Sequence, residues 1–92
     1  MTQRFEWDDA KAVLNLRKHQ VSFEEAASVF ADSLAYTFAD PDHSAGEERM
    51  LTFGYSHAGV LLAVIHTERG RAIRIISARM ATRHERGTYE QS

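Results

Sequence analysis

One stretch in the first third of the chain has the hydrophobic spacing of a helix that buries one face. Between residues 23 and 30, Phe, Ala, Ala and Phe recur at i, i+3, i+4 and i+7, and this spacing predicts an amphipathic helix. Ser22 comes directly before the stretch, and Glu25 follows Ser22 by three residues, as in a capping box. We therefore expect a helix that starts after Ser22 with its apolar side against a core.

An earlier stretch predicts another helix by its cap and its composition. Asp8 is placed to act as the N-cap, and good helix formers continue through His19. We expect its core-facing residues to be Val13 and Leu14 with Ala10 or Leu16. A polar stripe spaced i, i+4 and i+7 would be formed by Lys11, Asn15 and Lys18.

Beyond Asp32 the period becomes that of strands. Leu34, Tyr36 and Phe38 alternate with smaller residues, and a period of two predicts a strand. Further strands are predicted at 4–7, 49–55, 60–65 and 72–78. The run at 60–65 is apolar on both faces and should be central, whereas the segment 40–48 has turn chemistry throughout and should be the longest loop.

Pleating of the last strand predicts which of its side chains share a face. Because successive residues point to opposite faces, one face should carry Ile73, Ile75, Ser77 and Arg79. The other face should carry Arg74, Ile76 and Ala78. Thr82 then caps a short final helix, with Glu85 completing a second capping box.

The order of these elements predicts an α+β fold, with residues 1–92 as one domain. A strand, two helices, four strands and a last helix give a mostly antiparallel sheet of about four to five strands. Two N-terminal helices and one C-terminal helix would lie against one face of this sheet.

Composition removes several kinds of function. The chain is 43% hydrophobic and has no cysteine, which excludes disulfides, thiolate zinc sites and a cysteine nucleophile. The longest apolar run, at 59–65, is too short to cross a membrane, and the first residues lack a signal peptide's apolar region. We expect a cytoplasmic protein without a membrane partner. Asp40, Asp42 and His43 match no known ligand spacing, so we predict neither a metal site nor a cofactor.

Charge is distributed unevenly along the chain. The net charge is −2, but residues 1–45 hold four Lys and Arg against eight Asp and Glu, while 46–92 hold seven against five. Between 66 and 86 there are six arginines against two glutamates. An anionic partner is therefore expected at this basic segment.

Arg79 has an unusual position, near the end of an apolar strand and three residues before the N-cap Thr82. A helix start offers free N–H groups, so Arg79 and Arg83 could hold a phosphate there. The alternative is an ion pair between Arg79 and Glu85 or Glu25 that closes the rim of the sheet.

Other residues could serve phosphodiester cleavage without a metal ion. His66 and His19 could carry protons, and Lys18 could neutralise a phosphate. The alternatives are a hydrogen-bonded strand histidine and favourable charge at a helix C-terminus. Tyr36 and Phe38 are expected to be core or sheet-face residues before they are platforms for stacked bases.

In this order, these residues resemble the BrnT family of toxins from bacterial type II toxin–antitoxin pairs, nearly from end to end. In the first half the resemblance rests on Phe5, Trp7-Asp8, Lys11, Asn15, Lys18-His19, Val21-Ser22-Phe23, Ala26, and Phe30 with Asp32. In the second half it rests on Asp40, Glu48-Arg49, Gly54, His66-Thr67, residues 74–79, Ala81-Thr82, Glu85 and Tyr89.

The resemblance implies a RelE-like fold and an endoribonuclease that cleaves RNA and arrests translation. It implies neutralisation by a ribbon-helix-helix antitoxin of the BrnA type, whose complex with the toxin represses their operon. Association also suits a small core that gains from burying more surface, and it is compatible with a toxin homodimer within the complex.

Because the family's activity depends on basic residues, the resemblance places catalysis on Lys18, Arg79 and Arg83, and also on His66. In the mechanism that we expect, His66 or His19 would move protons. Further RNA contacts are expected from Lys11, Arg74, Thr82, His84 and Tyr89. Two departures reduce the charge: Met80 stands where the family typically has Lys, and His84 where a second consecutive Arg is common. The alternative function is therefore a catalytically weak or inactive partner that represses the operon with its antitoxin.

Overall fold

The chain forms a five-stranded sheet and three α-helices in the residues that this computed structural model describes, 2–40 and 48–91. The helices are α1 (Asp9–His19), α2 (Phe23–Ser28) and α3 (Arg83–Glu90), and a 3-10 turn (Val29–Ala31) follows α2 directly. The strands are β1 (Arg4–Glu6), β2 (Tyr36–Ala39), β3 (Met50–Tyr55), β4 (Leu61–Arg69) and β5 (Ala72–Met80). Asp42, His43 and the rest of 41–47, in the predicted loop, lie outside the described residues.

The strands lie in the order β1-β5-β4-β3-β2, with the two shortest strands at the edges. β1 is parallel to β5, and the other pairings between the described strands are antiparallel. The α+β class and the mostly antiparallel sheet are thus confirmed. Across the part of the chain described, no helix has the length and apolar character needed to cross a membrane.

Side-chain caps start each helix where the sequence predicted. The carboxylate of Asp8 accepts the N–H of Lys11 at 3.0 Å, and the Ser22 hydroxyl accepts the N–H of Glu25 at 3.0 Å. The capping box of α2 is only half formed, because the Glu25 carboxylate accepts from the Ser56 hydroxyl instead, at 2.7 Å. The α3 box is complete.

The orientation of α1 is the reverse of the predicted one. Asn15 is buried, and its side-chain amide pairs with Ala78 of β5 in both directions, at 2.8 and 3.1 Å. Val13 and Leu14 are instead 54% and 61% exposed. The reason lies in the sheet: β1 pairs with β5 only as far as Arg74, and the Asn15 amide supplies the partner that the backbone of Ala78 needs beyond that point.

The core lies between one face of the sheet and the two N-terminal helices. Its fully buried members include Val21, Phe23, Ala26, Val29, Leu62, Val64, Ile75 and Ala78. The 3-10 turn packs so closely on β3 that a Cβ at Gly54 would lie 2.7 Å from Cγ1 of Val29. Glycine is therefore required at Gly54, because a larger side chain would overpack this contact.

A β-bulge in β5 changes the predicted pleat. Ile75 pairs with His66 and Ser77 pairs with Ile65, which leaves Ile76 between them as the extra residue. Ile75 and Ala78 therefore both join the core, although the alternation predicted opposite faces. The bulge also turns Arg79 to the face of the sheet opposite α1 and α2, which we call the open face.

α3 lies over the open face. The prediction that all three helices lie against the same face of the sheet is therefore wrong. The Tyr89 ring lies edge-on to the rings of Tyr36 and Tyr55, at centroid distances of 6.4 and 5.7 Å. Both of those tyrosines point away from α1 and α2, since they alternate with the inward residues Thr37 and Gly54 along their strands. α3 thereby covers one end of the open face.

Candidate active site

A groove separates α3 from the exposed strands of the open face. Its floor is formed by Tyr36, Phe38, Leu51 and Phe53 from β2 and β3. Its wall is formed by His84, Glu85, Thr88 and Tyr89 from α3. The volume is about 660 Å³, which is enough for a nucleotide-sized ligand. We call this the aromatic groove.

Two aromatic side chains on the edge strand β2 are half exposed in this groove. Tyr36 and Phe38 are 50% and 49% exposed, and their rings are nearly parallel, at 5°, with centroids 6.0 Å apart. The sequence predicted core or sheet-face positions for them, and they lie on an exposed part of a sheet face. Edge strands are commonly protected by charged residues. Two aromatic residues on an edge strand are therefore unusual, and this is the signal that could have identified Tyr36 and Phe38 as functional residues.

Arg79 and Glu85 form an ion pair where β5 gives way to α3. Nη1 and Nη2 of Arg79 lie 2.8 and 3.0 Å from the two carboxylate oxygens of Glu85. Glu85 also accepts the backbone N–H of Thr82 at 2.8 Å. The hydrogen bonds from Arg79, and then those from Thr82, lower the pKa of Glu85 to about 2. The bonded carboxylate raises the pKa of Arg79, so both groups are charged at neutral pH.

This ion pair confirms the alternative predicted for Arg79, and it closes one edge of the guanidinium to a phosphate at the start of α3. Glu85 already occupies the position where Arg79 and Arg83 were expected to hold an anion. The other edge of the Arg79 guanidinium is not used by this ion pair. Its Nε–H and outer Nη2–H make no hydrogen bond with the described residues. That edge is a second fork of donors, suited to two phosphate oxygens. An anion can therefore meet Arg79 side-on, next to Glu85.

The remaining predicted residues near the start of α3 are Thr82, Arg83 and His84, and they have different surroundings. The Thr82 hydroxyl accepts the N–H of Glu85 at 3.1 Å and so caps the helix. His84 is exposed and lines the aromatic groove. Arg83 is exposed and has no hydrogen bond or ion pair with the described residues. His84 can therefore meet a ligand in the groove, whereas Arg83 is not among the residues that line it.

Tyr89 fixes α3 to the rest of the protein through a residue that the sequence did not single out as functional. Its hydroxyl lies 3.1 Å from Oδ2 of Asp32 and 3.0 Å from the carbonyl of Leu34, which share its proton. Asp32 also accepts the N–H groups of Tyr55 and Leu34, and these bonds lower its pKa. Burial, followed by the bond to Asp32, raises the pKa of Tyr89 to about 12. Tyr89 thus positions α3 and forms part of the groove wall.

Three predicted residues, Lys11, Lys18 and His19, line a different groove, between α1 and residues Ile76 and Ser77 of β5. We call this the α1 groove. Ser77, which lines the α1 groove, is two residues before Arg79 on the same face of the strand. These two residues are therefore about 7 Å apart along β5. Arg74 lies farther along β5 and is paired with Glu6 at 3.3 Å.

The sequence model of the family described as "Ribonuclease toxin, BrnT, of type II toxin-antitoxin system" matches residues 7–85. The chain belongs to the BrnT family. The fold is also similar to the crystal structure of the Brucella abortus ribonuclease toxin BrnT, with a TM-score of 0.68 and 26% sequence identity. That match covers 89% of this chain and all of the Brucella chain. No curated protein matches the sequence.

BrnT membership fixes the broad class of function. The family consists of ribonuclease toxins of type II toxin–antitoxin systems, so RNA is the expected substrate and an antitoxin the expected partner. The resemblance drawn from the sequence is thus confirmed at the level of family and fold.

One residue of the BrnT resemblance, His66, must be removed from the candidate site. It is only 3% exposed and lies on the helix-covered face, with its ring edge-on to Phe30 at 4.9 Å. Its Nε2 lies 2.7 Å from the hydroxyl of Thr52, which lies 2.7 Å from that of Thr37. RNA on the protein surface cannot reach this imidazole, so its role is structural.

His66 should make the stability of the protein depend on pH. Burial lowers the pKa of His66 from 6.5 to about 4, so the unfolded chain takes up a proton that the folded chain resists. The contribution of His66 to stability should fall by about 3 kcal/mol as the pH decreases from 6.5 to 4, and this contribution should level off below that. Urea unfolding of wild type and His66→Gln measures this. The same slope in both proteins would contradict it, and His57→Gln, on an exposed turn, is the control.

Proposed function

We propose that this BrnT-family chain is an endoribonuclease that cleaves RNA lying across the aromatic groove, without a metal ion. The observation that carries the proposal is the free fork of Arg79, held by Glu85 on the same face as the exposed pair Tyr36 and Phe38. Arg79 lies beside the groove, next to its lining residue Glu85, so a phosphate could bind at that side while bases bind in the groove.

The aromatic pair would bind single-stranded RNA through its bases. Protein aromatic side chains contribute about 1–3 kcal/mol for each base that stacks on them, with little dependence on sequence. Tyr36 and Phe38 already present near-parallel rings to solvent, so two bases splayed out of a strand could stack there. Duplex RNA would be a poor substrate, because its bases are not available for stacking.

Cleavage would use the RNA's own 2′-hydroxyl. The 2′-hydroxyl gives its proton to solvent water, and its oxygen forms a bond to the adjacent phosphorus while the bond from phosphorus to the 5′-oxygen breaks. The products carry a 2′,3′-cyclic phosphate and a 5′-hydroxyl. Arg79 would stabilise the charge that develops on the phosphorane. His84 would deliver the proton to the leaving 5′-oxygen, since imidazole can donate near neutral pH.

The partners follow from the type II family. We propose that cleavage arrests translation, that a ribbon-helix-helix antitoxin of the BrnA type neutralises the toxin, and that their complex represses the operon. Lys18 and His19, predicted to act on RNA, belong to the α1 groove and are not needed in this mechanism.

The departure at Met80 does not argue against an active nuclease. Met80 is 53% exposed, but it follows Arg79 on β5, and neighbouring strand residues point to opposite faces. A Lys at position 80, as the family typically has, would therefore not face the aromatic groove.

The test is cleavage of a defined single-stranded RNA by the purified chain with excess chelator. We expect unchanged cleavage, with 2′,3′-cyclic phosphate on the upstream product. A substrate with one 2′-deoxy nucleotide at the cut site should resist cleavage there, because the attacking hydroxyl is missing. Cleavage that requires a divalent metal, or that persists at the deoxy position, would contradict the mechanism.

A further inference from the structure

The outer surface of α1 is more apolar than a solvent-facing helix requires. Ala10, Val13, Leu14 and Arg17 are all exposed and follow the i, i+3, i+4, i+7 spacing of one helix face. Val13 and Leu14 are both more than half exposed. The feature that they form, the α1 ridge, has the spacing that helices use to contact another protein.

The α1 ridge borders a groove with positive charge. Leu14 belongs both to the ridge and to the α1 groove, which has a volume of about 510 Å³. Arg17 and Lys18 are exposed at the C-terminal end of the helix, and Lys11 is exposed one turn before Leu14. Among the described residues that line the groove, none is acidic. A partner that covers the ridge would therefore need carboxylates beside its apolar contacts.

Three other occupants fit this surface less well. A second copy would bring the same face against itself, and this face offers Lys11, Arg17 and Lys18 but no acidic residue among the described residues that line the groove. A nucleic acid would satisfy the cations but would leave Val13 and Leu14 without apolar partners. An added β-strand cannot pair with β5 at Ala78, because the Asn15 amide occupies both of its backbone groups.

We propose that the α1 ridge and the α1 groove dock an acidic, amphipathic helix of the antitoxin. Apolar residues of that helix cover Val13 and Leu14, and its carboxylates meet Arg17, Lys18 and Lys11. The proposal rests on membership of a type II toxin–antitoxin family and does not depend on RNA binding in the aromatic groove.

The experiment measures the affinity between the purified toxin and the antitoxin of its own toxin–antitoxin pair. A Val13→Ser/Leu14→Ser double variant should raise the Kd about 100-fold, because central apolar anchors dominate interface affinity. Arg17→Glu should raise it about 10-fold, mainly through faster dissociation, because it sets a carboxylate against carboxylates. Leu34→Ser is the matched control, since Leu34 is 74% exposed but lies outside α1, and its Kd should not change.

RNA cleavage by each variant is measured in parallel, and circular dichroism establishes that each is folded. Unchanged cleavage with lost antitoxin binding supports the proposal, and it does so whichever residues cleave RNA. Unchanged antitoxin affinity in both α1 variants overturns it. Loss of RNA binding with normal antitoxin affinity also overturns it, because the surface would then be an RNA site. If the double variant unfolds, the Arg17→Glu result decides.

Discussion

Replacement of Arg79 by Ala is expected to lower the rate of RNA cleavage by about 10²- to 10³-fold, the usual loss when one donor to a developing negative charge is removed. The side chain loses its free fork, and neither Arg83 nor His84 can replace two parallel N–H groups held by Glu85. The measurement is single-turnover cleavage of a labelled RNA at saturating toxin, which separates the chemical step from binding.

Two variants sharpen this result. Arg79→Lys keeps the charge but not the fork, so it should restore only a small part of the lost rate. Arg71→Ala removes an exposed arginine in the turn before β5, at the end away from Arg79, and should leave the rate unchanged. An Arg79→Ala protein that cleaves within about threefold of wild type would contradict the assignment. Loss of the partly exposed ion pair should cost only about 1 kcal/mol, so the variant should remain folded.

The largest expected effect on stability is that of Asn15→Leu. The side-chain amide of Asn15 makes three hydrogen bonds, to the N–H and carbonyl of Ala78 and to the carbonyl of Val21. Leucine has a similar size but leaves these buried backbone groups without partners, and each such group costs about 1–3 kcal/mol. We expect a loss of at least about 3 kcal/mol from a total of about 5–15 kcal/mol.

Urea unfolding of the purified variant measures this loss. Leu16→Asn is the matched control, because Leu16 is the next residue on α1 but is exposed, and it should change the free energy of unfolding by less than about 0.5 kcal/mol. An Asn15→Leu protein as stable as wild type would mean that the backbone of Ala78 finds another partner.

The helix starts were predictable because they depend on local chemistry. Asp8, Ser22 and Thr82 each cap the helix that follows them, and a cap needs only the next three residues. The direction in which α1 faces was not predictable. It depends on where β1 stops pairing with β5, which leaves the Ala78 backbone open, and no pattern within α1 records that distant event.

The bulge at Ile76 was not predictable either, because it also depends on a distant part of the chain. Alternation along β5 is a local rule, but the extra residue arises from the register between β4 and β5. That register decides that Ala78 enters the core and that Arg79 reaches the open face.

For the site, the sequence indicated the basic residues but not their surroundings. The Arg79 and Glu85 pair was one of two alternatives, and only the fold shows that it leaves a second fork accessible. The sequence predicted a strand that ends at residue 65, just before His66. The strand continues to Arg69, so His66 lies within the sheet. Tyr36 and Phe38 could not be assigned, since their exposure depends on β2 being an edge strand beside α3.

The central claim, that RNA lies in the aromatic groove, is tested most directly by photo-crosslinking. A single-stranded RNA with 4-thiouridine next to a 2′-deoxy cut site would be irradiated with the toxin, and the attached peptide identified by mass spectrometry. We expect the crosslink at Tyr36 or Phe38, and its loss in a Tyr36→Ala/Phe38→Ala variant. A crosslink confined to residues 11–19 of α1 would contradict the account.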